Sequence, residues 1–366
     1  MRHVRTPWRQ WLPHGLLLAL LTVVLVGCGG LETYPQSTLS PKGDFAEKVD
    51  ALFQTTVWWA VLIFILVEGA LLWAIFKFRG KPDDADPVQT HGNTVVEIIW
   101  TVIPAAVLAF VAVPTVRTIF ETAQIPEATA EGGEPLLVEV VGHQWWWEFR
   151  YPELGIVTAN ELHVPVGRTV DVRMKAADVL HSFWVPQFAG KRDVFPNRET
   201  RIWFTARETG EYPGACAEFC GLQHGKMLFY LMAQTPEDFE AWVATRQADT
   251  VAAAIRAPVA STDSLAPAPS PEDPLVAQGR QLFLAKACLG CHQPGSAGAN
   301  TAAIGPNLGG IGTRRMIGAG WIENTDENLA RWIQNPEQFK EGTLMKVGPI
   351  TDAEAQALVA FLRTRQ

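Results

Sequence analysis

The chain has 366 residues, a length that allows two or three domains. Hydrophobic residues make up 48% of it, and the formal net charge is −8. This acidic balance argues against nucleic acid as a partner, because proteins that bind a phosphate backbone usually carry excess positive charge.

The N-terminus has the pattern of an export signal. Arg2, Arg5 and Arg9 precede the apolar run GLLLALLTVVLVG, which is followed directly by Cys28. The letters LVGC match a bacterial lipoprotein box. The sequence therefore predicts a lipoprotein-type signal peptide over residues 1–27 and a lipid anchor at Cys28. The alternative is an uncleaved membrane anchor in which Cys28 is incidental.

Two apolar stretches follow, over about residues 55–76 and 95–113, and each is close to the ~20 residues that span a bilayer as a helix. They predict a transmembrane hairpin over residues 45–120. Lysine and arginine are concentrated just after the first stretch, so the connecting loop is expected in the cytoplasm. Everything after about Phe120 is then expected outside the bacterial cell (inner) membrane, on its periplasmic or extracellular face.

The next segment, residues 126–243, changes to short alternating runs. LLVEVVG, RTVDVRM, TRIWFTA and MLFYLMA have the period of half-buried strands, and turns such as VPVGR and ETGEYPG separate them. Several short strands at this spacing predict a β-sandwich or barrel.

The run GHQWWWEFRYP contains three consecutive tryptophans. Side chains alternate along a strand, so Trp145 and Trp147 are expected on one face and Trp146 on the other. We interpret Trp146 and Trp147 as core residues. His143 and His163 are interpreted as structural residues and not as metal ligands.

The stretch CAEFCGLQHGKM is the most specific motif in the chain. A disulfide between Cys216 and Cys220 would leave His224 and Met227 unexplained, and zinc rarely accepts methionine. Soft thiolates, a thioether and imidazole suit copper. A mononuclear blue-copper site uses one cysteine, whereas two thiolates can bridge two copper ions with a histidine on each. The run DVLHSFWVP supplies the second histidine, His181.

Residues 248–274 are rich in alanine, proline and serine and predict a semi-stiff linker that begins with a possible helical turn. The following domain, residues 275–366, contains CLGCH, a signal for covalent haem attachment. This motif predicts thioether bonds from Cys288 and Cys291 to a haem, with His292 as the proximal iron ligand.

A methionine is expected as the other axial ligand of the iron. Met316 and Met345 are the candidates. GTLMKVGPIT places Met345 on a loop shortly before the final helix, whereas Met316 lies too close to the haem-binding stretch. We therefore favour Met345.

These motifs resemble two known families. From about residue 45 to 235 the chain resembles subunit II of cytochrome c oxidases, which carries the binuclear copper centre CuA, and residues 275–366 resemble a small class I cytochrome c. The resemblance implies a multidomain fold with a two-helix transmembrane hairpin, an all-β cupredoxin-like Greek-key barrel and an all-α cytochrome c domain.

The resemblance also implies roles for individual residues. The copper-ligating side chains would be those of His181, Cys216, Cys220, His224 and Met227. Glu218 would give its backbone carbonyl to copper and its carboxylate to a magnesium ion shared with subunit I. Trp145 would be the entry point for electrons, and Glu97 would lie at the mouth of a proton channel. Pro306 matches the proline whose carbonyl orients the haem histidine. Glu68 has no assigned family role and is expected to face subunit I.

By the same resemblance, electrons would pass from an external donor to haem c, then to CuA, and then to haem a in subunit I, where oxygen reduction and proton pumping occur. The implied partners are subunit I with haem a and CuB, subunit III, membrane lipid, and a c-type cytochrome or a quinol:cytochrome c reductase as donor. Quinol-oxidase relatives lack the copper ligands that this chain keeps.

Two alternatives stay open. One is the CuA-bearing subunit of a nitric oxide or nitrous oxide reductase, and the other is a non-enzymatic electron-carrier or copper-delivery lipoprotein. The two-helix anchor, with Glu97 in VVEIIWTVIP, favours the oxidase.

The charge balance differs between the two outer domains. Residues 126–243 contain 10 Lys/Arg and 17 Asp/Glu, a balance of −7, and residues 275–366 contain 9 and 7, a balance of +2. Opposite charge favours a transient encounter. Since a tether holds the domains at an effective concentration on the order of mM, a strong docking face is not expected.

Overall fold

The computed structural model describes residues 34–80, 89, 91–126, 133–255, 272–299 and 304–366. The predicted signal peptide and Cys28 lie outside the described residues, as does most of the predicted linker. The described residues form a helical hairpin, a β domain and a C-terminal helical domain, which is the expected multidomain class.

Two long apolar helices form the hairpin, α1 (Asp44–Lys77) and α2 (Thr94–Ala123). Both are long and apolar enough to cross a membrane, and each extends beyond the predicted span at its outer end. Trp59 of α1 packs edge-on against Phe110 of α2, with 5.4 Å between the ring centroids. The two helices therefore pack side by side as the hairpin requires.

The outer ends of both helices are attached to the β domain. Phe45, in the first turn of α1, is buried and packs edge-on against Trp203. The indole N–H of Trp203 donates a hydrogen bond of 2.9 Å to the carbonyl oxygen of Thr122, near the end of α2. One residue of the β domain thus contacts both helices, which places both helix ends on the side of the β domain.

Glu68 lies in the second half of α1 and is partly buried, whereas its neighbours in the helix are exposed. Its expected contact with another subunit stays a prediction.

Ten strands form the β domain: β1 (Leu136–His143), β2 (Trp146–Tyr151), β3 (Ile156–Ala159), β4 (Glu161–Pro165), β5 (Thr169–Ala176), β6 (His181–Trp184), β7 (Arg192–Val194), β8 (Thr200–Thr205), β9 (Gly210–Cys216) and β10 (Leu228–Gln234). They make two five-stranded sheets in the orders β3-β2-β1-β5-β8 and β4-β10-β9-β6-β7. β1 runs parallel to β5 and β4 parallel to β10, while the other pairs are antiparallel. The expected cupredoxin-like class is confirmed, in the form of a sandwich.

Aromatic rings fill the core of the sandwich near one end. Trp147 is fully buried and packs edge-on against Phe183 and Phe229, at centroid distances of 5.5 and 5.7 Å. The same indole lies 5.9 Å from the ring of His181. Because close-packed aromatic cores resist deformation, this end of the sandwich is a rigid support for the loops above it.

The chain continues into α3 (Pro236–Ala248) and α4 (Val251–Ile255), so the predicted linker begins with a short helix. The C-terminal domain contains α5 (Pro274–Ala285), α6 (Asp326–Gln334), α7 (Asp352–Arg363) and a small hairpin of β11 (Met316–Ile317) and β12 (Ile322–Glu323). This is the helical architecture expected for residues 275–366.

Helices α5 and α7 cross in close contact. A Cβ atom at Gly279 would lie 1.9 Å from the carbonyl oxygen of Ala357, so the crossing requires glycine at this position. Phe283 and Phe361 pack beside it with 5.5 Å between ring centroids. This helix pair forms the core of the C-terminal domain.

Candidate metal centre

Three segments bring the candidate copper ligands to one end of the sandwich. His181 is the first residue of β6, Cys216 is the last residue of β9, and Met227 directly precedes β10. Cys220 and His224 lie on the loop that joins β9 to β10. We call residues 217–226 the copper-ligand loop. The strands on both sides of it pair from Ala215 with Leu228 onwards, so its ends are held by the sheet.

The side chains on these segments converge. The sulfur atoms of Cys216 and Cys220 are 3.8 Å apart. His181 Nδ1 lies 3.9 Å from the Cys216 sulfur, and His224 Nδ1 lies 3.8 Å from the Cys220 sulfur. Met227 Sδ lies 3.8 Å from the Cys220 sulfur. Each thiol thus has its own histidine, and the two thiols face each other.

The sulfur separation excludes a disulfide in this structure, since a disulfide bond is about 2.05 Å long. Both thiols are free and buried. Two facing thiolates, two imidazoles, a thioether and the Glu218 carbonyl, 3.3 Å from the Cys216 sulfur, form a soft donor set with one oxygen. This set fits copper, and two bridging sulfurs suit a pair of copper ions.

The two thiols shift each other's pKa in opposite directions. A hydrogen bond from Cys220 lowers the pKa of Cys216 far below that of a free thiol, and the nearby His181 adds to the decrease. The same hydrogen bond, together with burial, raises the pKa of Cys220. The thiolate is the form of cysteine that ligates metals, so a bound cation would favour the ionised form of both residues.

Asp178 is a further candidate residue of this site that the sequence motifs did not indicate. Its carboxylate accepts a hydrogen bond of 2.9 Å from His181 Nε2, which leaves Nδ1 free to ligate a metal. Burial disfavours the charged imidazole of His181, but the bonds to Asp178 and Cys216 outweigh it and raise the His181 pKa. A signal was available in the sequence, since Asp178 lies three positions before His181.

Trp145 lies in the turn between β1 and β2, and so it is not in a strand as expected. Its indole N–H donates a hydrogen bond of 3.0 Å to the carbonyl oxygen of Cys220. The side chain of Gln144 donates to the same carbonyl, at 2.7 Å. The candidate electron-entry residue is thereby hydrogen-bonded to the main chain of a candidate copper ligand.

His143 and His163 contact other side chains of the β domain, and their interpretation as structural residues stays a prediction. His143 Nε2 is 3.0 Å from a carboxylate oxygen of Glu148, and His163 Nδ1 is 3.0 Å from the side-chain oxygen of Gln234. Both imidazoles also stack on tryptophans. In each histidine, one ring nitrogen makes a polar contact with a side chain of the same domain and the ring stacks on a tryptophan.

The haem-attachment motif lies at the end of α5. A one-turn helix, Cys288–Gly290, begins with the first cysteine, and Cys291 follows it directly. His292 Nδ1 is 2.8 Å from the carbonyl oxygen of Pro306. Since a carbonyl only accepts, Nδ1 carries the hydrogen and Nε2 is left for iron. Gly305 lies so close that a Cβ atom there would be 2.7 Å from the imidazole. These residues fit a covalently attached haem c.

The remaining candidates occupy separate positions. Met345 lies half-buried on the loop before α7, whereas Met316 lies in β11 and pairs with Glu323. Glu97 is exposed in the first turn of α2, at the end of the hairpin away from the sandwich. Their roles stay predictions.

The two outer domains meet in an extensive interface, so the expectation that no strong docking face exists is wrong. Main-chain hydrogen bonds join Leu228 N to Ala319 O (3.0 Å) and Val157 N to Ser296 O (3.2 Å). Trp146 is buried as expected, in a small cluster that joins Ala159 of the β domain to Ala319 of the C-terminal domain. Main-chain pairing of this kind requires a fixed register between the two domains.

Buried charges lie in the same interface. The main-chain N–H of Arg315 donates a hydrogen bond of 3.0 Å to Glu161, which is buried at the edge of β4. Arg314 is also buried, and burial lowers its pKa to about 10. Burial opposes ionisation of Glu161, but hydrogen bonding to His163 and the charges of His163 and Arg314 hold its pKa below the usual value. The net charges of the two domains did not predict that Glu161 of the β domain lies beside Arg314 and Arg315 of the C-terminal domain.

Three family profiles match the chain in succession. The profile described as "Cytochrome C oxidase subunit II, transmembrane domain" matches residues 33–118. The profile of the periplasmic domain of the same subunit matches residues 155–233, and the profile "Cytochrome c" matches residues 276–366. The matches follow the hairpin, the β domain and the C-terminal domain in order.

Curated relatives match over nearly the whole length. "Cytochrome c oxidase subunit 2" of Alkalihalophilus pseudofirmus is 37% identical over 351 residues, covering 95% of this chain and 96% of the relative. The protein of the same name from Bacillus subtilis is 32% identical and covers 95% and 96%. A crystal structure of the periplasmic domain of subunit II of cytochrome oxidase from Bradyrhizobium japonicum is 31% identical, with a TM-score of 0.31, and covers 33% of this chain and 96% of that one.

Proposed function

The chain belongs to the family of cytochrome c oxidase subunit 2, and from this premise we propose the route that its electrons take. Electrons from an external donor enter at haem c in the C-terminal domain, pass to CuA in the β domain, and leave for haem a in subunit I. The oxidase complex uses them to reduce oxygen and pump protons. The fused cytochrome c domain supports this route, because it is a donor within the same chain.

The copper centre is assigned to the convergent side chains described above. The ligand set consists of His181, Cys216, Cys220, His224, Met227 and the Glu218 carbonyl. When bound, CuA supplies a site that accepts and releases one electron. The rigid aromatic core beneath the loop and the sheet pairing at both loop ends limit movement of the ligands. Limited movement favours fast transfer, because little reorganisation accompanies the change of charge.

The haem would be held by Cys288, Cys291, His292 and Met345. Pro306 holds the His292 ring by its Nδ1 hydrogen, which fixes the orientation of the ligating nitrogen. When bound, haem c supplies the one-electron site that an external donor reduces. That donor is a c-type cytochrome or a quinol:cytochrome c reductase.

Trp145 is assigned as the point where electrons enter the copper site. Its indole hydrogen bond to the Cys220 carbonyl supports this role, because the contact leads from the domain interface to a copper ligand. The Glu218 carboxylate is assigned to a magnesium ion shared with subunit I, since a hard oxygen suits that cation.

The membrane assignments complete the proposal. The hairpin crosses the bacterial cell membrane beside subunit I, with subunit III as a further partner, and the outer domains lie on the periplasmic or extracellular face. Glu97 lies at the cytoplasmic mouth of a proton channel into subunit I. Cys28 carries a lipid anchor after removal of residues 1–27.

One observation carries the proposal most strongly: two buried free thiols 3.8 Å apart, each with its own imidazole, in a chain that also contains a cytochrome c domain. The test is to purify the membrane complex that contains this chain and record its optical and EPR spectra. The proposal predicts haem c, haem a and a mixed-valence copper signal in one complex. A complex that lacks haem a, or one that reduces nitric oxide and not oxygen, would overturn it.

A further inference from the structure

Lys340 is a buried lysine of the C-terminal domain, and it lies where that domain meets the copper site. Only 4% of its surface is exposed. It follows the one-turn helix Pro336–Gln338 and comes five positions before Met345. It is therefore on the segment that leads to the candidate axial ligand of the haem.

The ammonium group of Lys340 is placed to donate to three carbonyl oxygens. These belong to Lys226 at 2.8 Å, to Gly318 at 3.1 Å and to Trp145 at 3.5 Å. Gly318 is in the same domain as Lys340, whereas the other two carbonyls belong to the β domain. A single cation thus joins the copper-ligand loop, the candidate electron-entry residue and the C-terminal domain.

Further contacts surround this cation. Lys226 Nζ donates back across the interface to the carbonyl oxygen of Phe339, at 2.9 Å. The side chain of Gln223 donates to the carbonyl oxygen of Glu341. Residues 339–341 therefore lie directly on the copper-ligand loop, and the two lysines bind reciprocally across the domain boundary.

A lysine in this position needs an explanation. Burial, with the nearby charge of Lys226 adding to its effect, lowers the pKa of Lys340 to about 7. Among the described residues, no carboxylate forms an ion pair with it. A buried charge without a counter-charge is usually less favourable than an apolar side chain of the same size. The three carbonyls compensate because an ammonium group has three hydrogens to donate.

We propose that Lys340 is a positioning residue for electron transfer, which fixes the haem domain against Trp145 and the copper-ligand loop. This inference rests on the proposed route from haem c to CuA. The acceptors that Lys340 selects are main-chain oxygens, whose positions are set by the sheet and the loop. The Lys340 amino group, through these hydrogen bonds, therefore specifies one docked arrangement among the many that a tether alone would allow.

The test uses the purified complex with a protease site introduced in the linker near Ser264, outside the described residues. The variant Lys340→Met removes the cation at nearly constant volume, and Lys340→Gln is a second variant that keeps a polar group. Lys175→Met, at an exposed lysine of β5, is the matched control. Two quantities are measured: the fraction of the cut haem domain that stays bound on dilution, and the rate from haem c to CuA.

We expect the wild type and the control to keep the cut domain. Both Lys340 variants should bind it about 100-fold more weakly, since carbonyls left unsatisfied in a buried interface are unfavourable. The rate from haem c to CuA should fall with the bound fraction, while the rate from CuA to haem a and both metal spectra should stay unchanged. A rate that falls only together with loss of copper would indicate a folding defect and overturn the inference.

Wild-type binding and wild-type rates in both Lys340 variants would also overturn it. The binding measurement needs no electron transfer. If the wild type shows no transfer from haem c to CuA, the proposed route fails, while weakened binding in the variants would still establish Lys340 as the residue that fixes the domain.

Discussion

Asp178 determines which nitrogen of His181 faces the two thiols. Its carboxylate accepts from Nε2 at 2.9 Å, and Nδ1 faces the Cys216 sulfur at 3.9 Å. A second oxygen of Asp178 accepts from the main-chain N–H of Gln144, at 2.6 Å. The same carboxylate therefore orients the ligand and holds the turn that carries Trp145.

The variant Asp178→Asn should weaken copper binding. An amide cannot replace the charge of the carboxylate, and loss of such an outer partner usually reduces metal affinity by about 10–100-fold. Competition for copper against a chelator measures the effect. Asp193→Asn, at an exposed position of β7, is the control and should bind as the wild type does. Equal affinity of the Asp178 variant would show that the hydrogen bond is not needed for ligation.

Cys216→Ser or Cys220→Ser should abolish the delocalised copper signal. A serine oxygen is harder than a thiolate and bridges copper(I) poorly, so the unpaired electron would no longer be shared between two metals. EPR spectroscopy of the purified protein detects the change. A mixed-valence spectrum that survives in either variant would exclude the binuclear assignment.

At the scale of elements, loops carry the chemistry and strands hold them in place. The copper-ligand loop starts and ends on paired strands, and His292 lies just beyond α5. The two methionines that are candidates for the iron ligand differ in whether they lie in a strand or on a loop. Met316 is part of a paired strand, whereas Met345 lies on an irregular loop that can follow the haem.

Met345→Ala should leave the haem attached but remove methionine ligation. The proposal assigns attachment to Cys288 and Cys291, whereas a methionine ligand would tune the reduction potential of the iron. The weak absorption band at the red end of the spectrum, typical of a methionine–iron bond, should disappear, and the reduction potential should fall. Loss of the band in Met316→Ala and its retention in Met345→Ala would reverse the choice of ligand.

Much of this could be predicted from local sequence. Period and composition located the hairpin and four strands. Short motifs named the residues that converge at the candidate copper site, because four of the five side chains lie within one twelve-residue stretch and His181 lies in a second motif. Asp178 and the turn position of Trp145 were missed. The partner of His181 and the residue at which β1 ends both depend on how the loops fold. The alternation of polar and apolar residues along the sequence does not predict either.

At the scale of the whole molecule, the interface between the outer domains was not predictable. The charge balances of −7 and +2 count all charged residues of each domain, including the many that lie outside the interface. The contacts that matter join residues far apart in the chain, such as Lys340 with Lys226 and Arg315 with Glu161. Pairing over such separations is a property of the folded chain. The linker therefore connects two domains that already bind each other.

The central claim is that haem c reduces CuA from a fixed, docked position, and cutting the linker tests it most directly. Stopped-flow reduction of CuA through haem c would be followed in intact and cut complex across a dilution series. The fixed interface predicts a first-order rate that stays the same after cutting and does not change with dilution. A rate that becomes second order, slower on dilution and strongly dependent on salt would mean that only the tether keeps the domains together, and would contradict the docked arrangement.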